Sequence, residues 1–101
     1  MILYIDSSNG EKVVIKLNDQ EIVSSALRDK SQLVLKLIVD SLNKKGLTLA
    51  DIKKININRG PGSYTGLRVG LAVANTLGWA LDVKVNGKNI KKDGPVLPQY
   101  E

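Results

Sequence analysis

The chain has 101 residues, the length of one small domain. It contains neither cysteine nor histidine. This excludes disulfide frameworks, zinc sites of the usual Cys/His type, and catalysis by a thiol or an imidazole. Any chemistry would depend on carboxylates, lysine, arginine and hydroxyl groups. The formal net charge is +5, from 15 basic and 10 acidic side chains.

The positive charge is concentrated in the second part of the chain. Residues 1–40 carry five basic and six acidic side chains, whereas residues 41–101 carry ten basic and four acidic ones. Such a bias allows an anionic partner such as RNA, although a lysine-rich solubilising surface has the same composition. The N-terminus lacks signal-peptide features, and the apolar stretch 69–81 is too short to span a bilayer. We therefore expect a cytoplasmic protein without membrane association.

The first segment predicts an antiparallel meander. Residues 2–6, 13–17 and 22–27 are short apolar runs, and they are separated by turns rich in asparagine, aspartate and glycine. From residue 31 the apolar spacing becomes helical. Six apolar residues share an arc roughly 200° wide at 100° per residue, about twice what one buried stripe needs. These residues are Val34, Leu35, Leu37, Ile38, Val39 and Leu42.

The rest of the chain alternates strands and helices. A capping box at Thr48 predicts a brief helical turn, followed by a strand at 54–58, a helix from about 65 to 81, and a strand at 83–85. Such an order implies parallel pairing through right-handed crossovers. The sequence therefore predicts an α/β domain with a mixed five-stranded sheet and two main helices. The tail, 88–101, is either an ordered strap or a frayed end.

A glycine-rich loop, residues 60–66, connects the fourth strand to the second helix. Loops of this kind can bind phosphate through backbone amides and the helix N-terminus. The specific templates fail, because no glycine pair has the Walker spacing and Thr65 stands where a dinucleotide fingerprint has its third glycine. The pattern favours a structural turn and leaves nucleotide binding as the alternative.

The second helix carries small residues at every fourth position, namely Gly66, Gly70, Ala74 and Gly78. Each glycine costs a helix roughly 1 kcal/mol relative to alanine. We therefore expect this ridge to lie very close to the sheet or to the other helix. Trp79 lies on the opposite side of the helix. Either the tail or the first helix covers it, or it anchors a protein interface.

These residues carry a resemblance to a known family. The run from Gly60 to Gly70, together with Asp6-Ser7-Ser8 near the start, resembles the TsaB (YeaZ) family. The resemblance implies a ribonuclease-H-like lobe of the actin/Hsp70/sugar-kinase superfamily, with strand order 3-2-1-4-5. Residues 1–87 would form this N-terminal lobe and 88–101 a C-terminal tail, without the second lobe of typical members. The family-signature loop comprises Gly60, Pro61, Gly62, Ser63, Tyr64, Thr65, Gly66 and Arg68.

The resemblance also implies a function. TsaB proteins are regarded as inactive relatives of TsaD, the catalytic subunit that makes N6-threonylcarbamoyladenosine next to the anticodon of tRNAs. TsaD coordinates metal through a histidine-containing motif, and this chain has no histidine. The chain is then a non-catalytic scaffold without catalytic or metal-binding residues of its own. ATP and metal are expected on the catalytic partner, and no cofactor on the chain alone.

The expected partners are a TsaD-like catalytic subunit and a TsaE-like ATPase, with tRNA contact possible through the complex. Without its partner the chain is expected to form a homodimer, because exposed apolar helices tend to pair. The predicted interface residues lie on the two helices. They are Leu33, Leu35, Leu37, Val39, Ala72, Thr76 and Trp79.

Two other functions remain open. One is a nucleotide- or phosphate-binding enzyme or switch that uses the loop from Gly60 to Arg68, with the hydroxyls of Ser63 or Thr65 and the Arg68 side chain on a phosphate. The other is direct tRNA binding by the basic second half, which would be strongly salt-dependent.

Overall fold

The computed structural model describes residues 1–9, 12–25 and 30–99. The predicted meander is confirmed: β1 (Ile2–Asp6), β2 (Lys12–Leu17) and β3 (Gln20–Ser25) pair antiparallel in chain order. The turn between β2 and β3 is tight, with Asn18 at a φ of 54°. Because of this turn, β3 begins two residues earlier than predicted. Its predicted last residues, 26 and 27, lie outside the described residues.

The second part of the chain adds a parallel strand and the helices. Strand β4 (Lys54–Ile57) pairs parallel with β1, which gives the sheet order β3-β2-β1-β4. Helix α1 (Lys30–Lys44) precedes β4, and α2 (Tyr64–Leu81) follows it. The predicted helical turn before β4 is a 3-10 turn, where the Thr48 N–H donates to the Asp51 carboxylate at 2.8 Å.

The core lies between one face of the sheet and the two main helices, which also contact each other. Alternate strand residues face this core because successive strand side chains point to opposite faces. On α1 the buried positions are spaced four apart, at Val34, Ile38 and Leu42. The fully buried strand side chains are Leu3, Ile5, Val13, Ile15 and Ile55.

The predicted fifth strand is wrong as a strand, although its position beside β4 is correct. Val85 forms an isolated parallel bridge to Ile55 and an isolated antiparallel bridge to Lys88. The chain then turns, with Asn86 at a φ of 51° and Gly87 at 77°. The Asn86 side chain occupies the next ladder position, since it accepts from the Ile57 N–H at 2.8 Å and donates to the Ile57 carbonyl at 3.0 Å. A side-chain amide thus replaces the backbone of a longer strand, and the sheet has four strands among the described residues.

The tail is an ordered strap as far as residue 99. A short helix, α3 (Ile90–Asp93), packs against α2 and is followed by extended chain. Val96 is held by Asn75 of α2, whose side chain accepts from the Val96 N–H at 2.9 Å and donates to its carbonyl at 3.0 Å. The Gln99 N–H donates to the Arg59 carbonyl at 2.7 Å. Residues 100 and 101 lie outside the described residues.

No helix in the described part of the chain is long and apolar enough to cross a membrane.

Candidate functional site

The family-signature loop rests on the end of β1. The Ser63 N–H donates to the Ser8 carbonyl at 2.8 Å, and the Asn58 side chain donates to the Ser8 hydroxyl at 3.3 Å. Asn58 also accepts from the Gly60 N–H at 3.0 Å. A Cβ at Gly62 would lie 2.6 Å from the Ser8 Cβ, so glycine is required for this close approach. The loop is therefore fixed by contacts within the protein.

Asp6, the last residue of β1, is the acidic group beneath the loop. Its carboxylate accepts from the Ser8 N–H at 2.9 Å and from the Ser8 hydroxyl at 2.6 Å. Burial raises the pKa of Asp6, but hydrogen bonds from Ser8, Asn58 and Tyr4 outweigh this effect and the net pKa is lowered. Burial, with the nearby Asp6 charge, raises the pKa of Tyr4. Asp6 is thus held ionised by structural contacts.

The polar side chains that could hold a phosphate on this loop mostly have partners within the protein. The Ser63 hydroxyl caps α2 by accepting from the Gly66 N–H at 3.2 Å. Arg68 donates to the Tyr64 hydroxyl at 2.6 Å, and its guanidinium lies 5.2 Å from the Tyr64 ring centroid. Thr65 is exposed. This geometry favours the structural turn over a phosphate-binding loop.

The small-residue ridge of α2 packs closely on the sheet, as predicted. The buried Ser7 hydroxyl, just beyond β1, donates to the Gly66 carbonyl at 2.6 Å. A Cβ at Gly66 would collide with the Ser7 carbonyl, and one at Gly70 with the Ser7 hydroxyl. Gly78 lies equally close to Val85. The ridge thereby fixes the position of α2 and of the loop that precedes it.

The predicted interface residues differ in exposure. Trp79 is 60% exposed and Leu35 is 42% exposed. Ala72 and Thr76 are also exposed, and Val39 is partly exposed. The alternative that the tail or α1 covers Trp79 is wrong, although Lys91 places its ammonium 5.5 Å from the ring centroid. Two further predicted residues, Leu33 and Leu37, are partly buried against the core.

The two more exposed of the predicted interface residues on α1 lie on one flank. At 100° per residue, Leu35 and Val39 lie on the opposite flank from Leu33 and Leu37. Ser41 belongs to the second flank and lines a cavity with β3 residues. On α2, Ala72 contributes to a shallow groove of about 310 Å³. Its other lining residues are Tyr64, Thr65, Arg68 and Val69.

Sequence reasoning did not single out Asn58, Asn75 or Asn86, the three amides that fix the loop, the strap and the end of the sheet. A usable signal exists for Asn58 and Asn86, because each directly follows a β-branched run where a strand ends. Among the described residues, no group of three or more carboxylates or other metal-ligating side chains could hold a metal ion.

The fold defines a class: α/β proteins with a mixed sheet and helices like those of YeaZ. The solved YeaZ from Pseudomonas aeruginosa aligns with a TM-score of 0.70 and 28% sequence identity, covering 83% of this chain and 41% of that chain. A second solved structure, described as an uncharacterized protein with similarity to peptidase YeaZ from Pseudomonas aeruginosa, aligns with a TM-score of 0.68 and 28% identity.

The sequence comparisons give the family. The protein-family model described as "TsaD: tRNA N6-adenosine threonylcarbamoyltransferase" matches residues 21–89 of the chain. The chain is 32% identical over 89 residues to "tRNA threonylcarbamoyladenosine biosynthesis protein TsaB" of Bacillus subtilis, covering 84% of this chain and 39% of that protein. The Escherichia coli protein of the same name is also 32% identical over 89 residues, covering 85% and 38%.

The chain therefore belongs to the family that this model describes, and within it to TsaB (YeaZ). It spans about two fifths of the length of these relatives, between 38% and 41%.

Proposed function

We propose that this chain acts in tRNA threonylcarbamoyladenosine biosynthesis as a non-catalytic subunit that binds a TsaD-like catalytic subunit. The observation that carries the proposal is the 60% exposure of Trp79 on a helix that buries Leu67, Leu71 and Leu77 on its other side. Tryptophan is enriched at the energetic centres of protein interfaces. The names of the relatives support the assignment to tRNA threonylcarbamoyladenosine biosynthesis.

The proposed docking surface consists of five residues on the two main helices: Leu35 and Val39 of α1, and Ala72, Thr76 and Trp79 of α2. Leu35 and Trp79 are large apolar side chains with 42% and 60% exposure. The shallow groove at Ala72 gives this surface a concave region for a partner's side chains. Charged residues border it, because Lys36 and Asp40 form an exposed ion pair at 3.0 Å on α1. An apolar centre with a polar rim is the usual anatomy of a protein interface.

A non-catalytic role is supported by the chemistry of the chain. The sequence has no cysteine or histidine to act as nucleophile or imidazole base. Asp6, the acidic side chain that the described residues place beneath the signature loop, is engaged by Ser8, Asn58 and Tyr4. A carboxylate whose pKa is held below its ordinary value is a weak general base near neutral pH.

The remaining parts of the proposal concern the assembly. The TsaD-like subunit would supply the ATP and metal chemistry, and a TsaE-like ATPase would join the complex. tRNA would be contacted through the assembled complex. Without a partner, the docking surface would pair with a second copy of itself and give a homodimer.

Co-purification followed by a modification assay tests the proposal. The tagged chain would be expressed with the TsaD-type protein of the same genome, and the purified subunits tested for threonylcarbamoyladenosine formation on tRNA with the ATPase present. We expect a stable complex, and modification that requires this chain. The proposal fails if TsaD does not co-purify and modification proceeds equally well without the chain.

A further inference from the structure

A second surface lies where β4 ends, and it is cationic where the docking surface on the helices is apolar. A cleft of about 240 Å³ opens there between the Asn86 turn and the strap. Its described lining residues are Arg59, Asn86, Lys88, Val96 and Leu97. Ligands of open α/β sheets commonly bind beyond the carboxyl ends of the parallel strands, and this is where the cleft lies.

Two cations line this cleft without an acidic neighbour among its described lining residues. Arg59 Nε donates to the Leu97 carbonyl at 2.9 Å, and Lys88 Nζ donates to the Pro95 carbonyl at 2.9 Å. Within the described part of the chain, ion pairs form at Lys36 and Lys91 and not at these two residues. A guanidinium has five N–H donors and an ammonium three, so each cation keeps donors for a further acceptor.

The walls of the cleft are held in place before any ligand arrives. Val96 forms two hydrogen bonds with Asn75, and the Gln99 N–H donates to the Arg59 carbonyl. Both amide atoms of Asn86 are used by Ile57, so this side chain forms a fixed floor. A preformed site binds without the entropic cost of ordering its walls.

We propose that this cleft binds a phosphate group through Arg59 and Lys88. A guanidinium beside an ammonium is a typical phosphate-binding arrangement, because hydrogen bonds between charged groups are stronger than those between neutral groups. The volume is below the roughly 300–1,000 Å³ of drug-sized pockets, so it fits a phosphate with its sugar better than a whole nucleotide. The phosphate would come from a free nucleotide or from an RNA backbone. The cleft shares no residue with the docking surface, so this inference does not depend on the proposed function.

Titration calorimetry with three probes tests the proposal: inorganic phosphate, AMP, and a single-stranded RNA of about ten nucleotides. The double variant Arg59→Gln/Lys88→Gln should bind at least tenfold more weakly than the unmodified chain. The matched control is Arg68→Gln/Lys91→Gln, which removes the same charge from exposed positions on α2 and α3 and should bind within threefold. Equal losses in both double variants would overturn the proposal, since net charge alone would explain them.

The probes also identify the source of the phosphate. If AMP binds and inorganic phosphate displaces it, the ligand is a free nucleotide. If RNA binds more tightly than AMP and loses affinity steeply with salt, the ligand is an RNA backbone. In that case the double variant should reduce the salt slope by about 0.7, because the two cations contact one phosphate group. Absence of binding by all three probes at millimolar concentration would contradict the proposal.

A charge-preserving variant separates phosphate binding from strap anchoring, because Arg59 and Lys88 also hold the strap. Arg59→Lys/Lys88→Arg keeps both charges while changing the hydrogen bonds to the strap. It should retain binding within threefold, and its thermal unfolding should show a folded protein. Loss of binding as large as in the glutamine variant would contradict a site built on these two charges.

Discussion

The two faces of α2 differ in how much room they leave for side chains. The inner face carries a glycine ridge beside buried leucines: Gly66 and Gly70 lie against Ser7, and Gly78 lies against Val85. The outer face carries Trp79, whose indole remains 60% exposed. The glycine positions are thus determined by how closely the α2 backbone approaches Ser7 and Val85. Nothing in the packing of the described chain requires the size of the residue on the outer face.

This contrast separates folding from binding within a single helix. A substitution on the inner face should change the stability of the protein, and one on the outer face should leave stability nearly unchanged. If the outer face serves a partner, its substitutions should appear in binding measurements alone.

The largest effect is expected for Gly66→Ala. The added Cβ would collide with the Ser7 carbonyl, a backbone atom that cannot rotate away, and would disturb the buried bond from the Ser7 hydroxyl to the Gly66 carbonyl. Overpacking and a weakened buried hydrogen bond together should lower the free energy of unfolding by about 3 kcal/mol. Urea denaturation measures this.

Ala80→Val on the exposed side of α2 is the matched control and should cost less than about 1 kcal/mol. A Gly66→Ala variant as stable as this control would show that α2 can move off the sheet without penalty, contrary to the close-packed ridge.

Asn75→Ala should have an intermediate effect on stability. Asn75 lies between the inner and outer faces of α2, and its side chain is hydrogen-bonded to the strap. The variant removes both hydrogen bonds to Val96, a buried residue, and leaves a backbone N–H and carbonyl unpaired. We expect a loss of about 1–3 kcal/mol and faster amide exchange at Val96. The neighbouring exposed Thr76→Ala should change stability by less than about 0.5 kcal/mol. Equal stabilities for the two variants would mean that the strap contributes nothing to the fold.

A smaller effect is expected for Asp6, which contributes to the stability of the fold in a pH-dependent way. The folded-state pKa of Asp6 is lowered, so the ionised carboxylate stabilises the fold above the ordinary pKa of about 3.8, and this contribution is lost as the pH falls through the folded-state value. Asp6→Asn should therefore show a smaller loss of stability between pH 6 and pH 3 than the unmodified chain. Ser8→Ala, which removes one donor to Asp6, should change it in the same direction. An unchanged pH dependence in both variants would contradict this account of Asp6.

Much of the fold could be predicted from the sequence because its signals are local. The meander, both helices and the small-residue ridge follow from periodicity and glycine spacing, and all are present. The fifth strand could not be predicted, because its length is determined by a side chain: Asn86 bonds to Ile57 in place of further backbone. The order of the tail depends similarly on contacts from Asn75, a residue more than ten positions away in sequence.

The candidate site shows the same limit. Periodicity placed Leu35, Leu37 and Val39 on one broad apolar arc, but it could not say which edge of the arc faces the core. The structure partly buries Leu33 and Leu37 and leaves Leu35 exposed. The cationic cleft was not predicted, because Arg59 and Lys88 are far apart in sequence. The strap residues Val96 and Leu97 complete the cleft, and their position could not be predicted either.

The most direct test of the account is the affinity of the TsaD-type partner for docking-surface variants whose stability is unchanged. Val39→Asp and Trp79→Ala should each weaken binding at least tenfold, about 1.4 kcal/mol, while leaving the unfolding free energy within about 0.5 kcal/mol. Val23→Asp and Leu97→Ala are the matched controls, since they change apolar residues that are 52% and 61% exposed away from α1 and α2, and they should bind as the unmodified chain does. Equal affinity for all four variants would contradict a partner-binding surface on these helices.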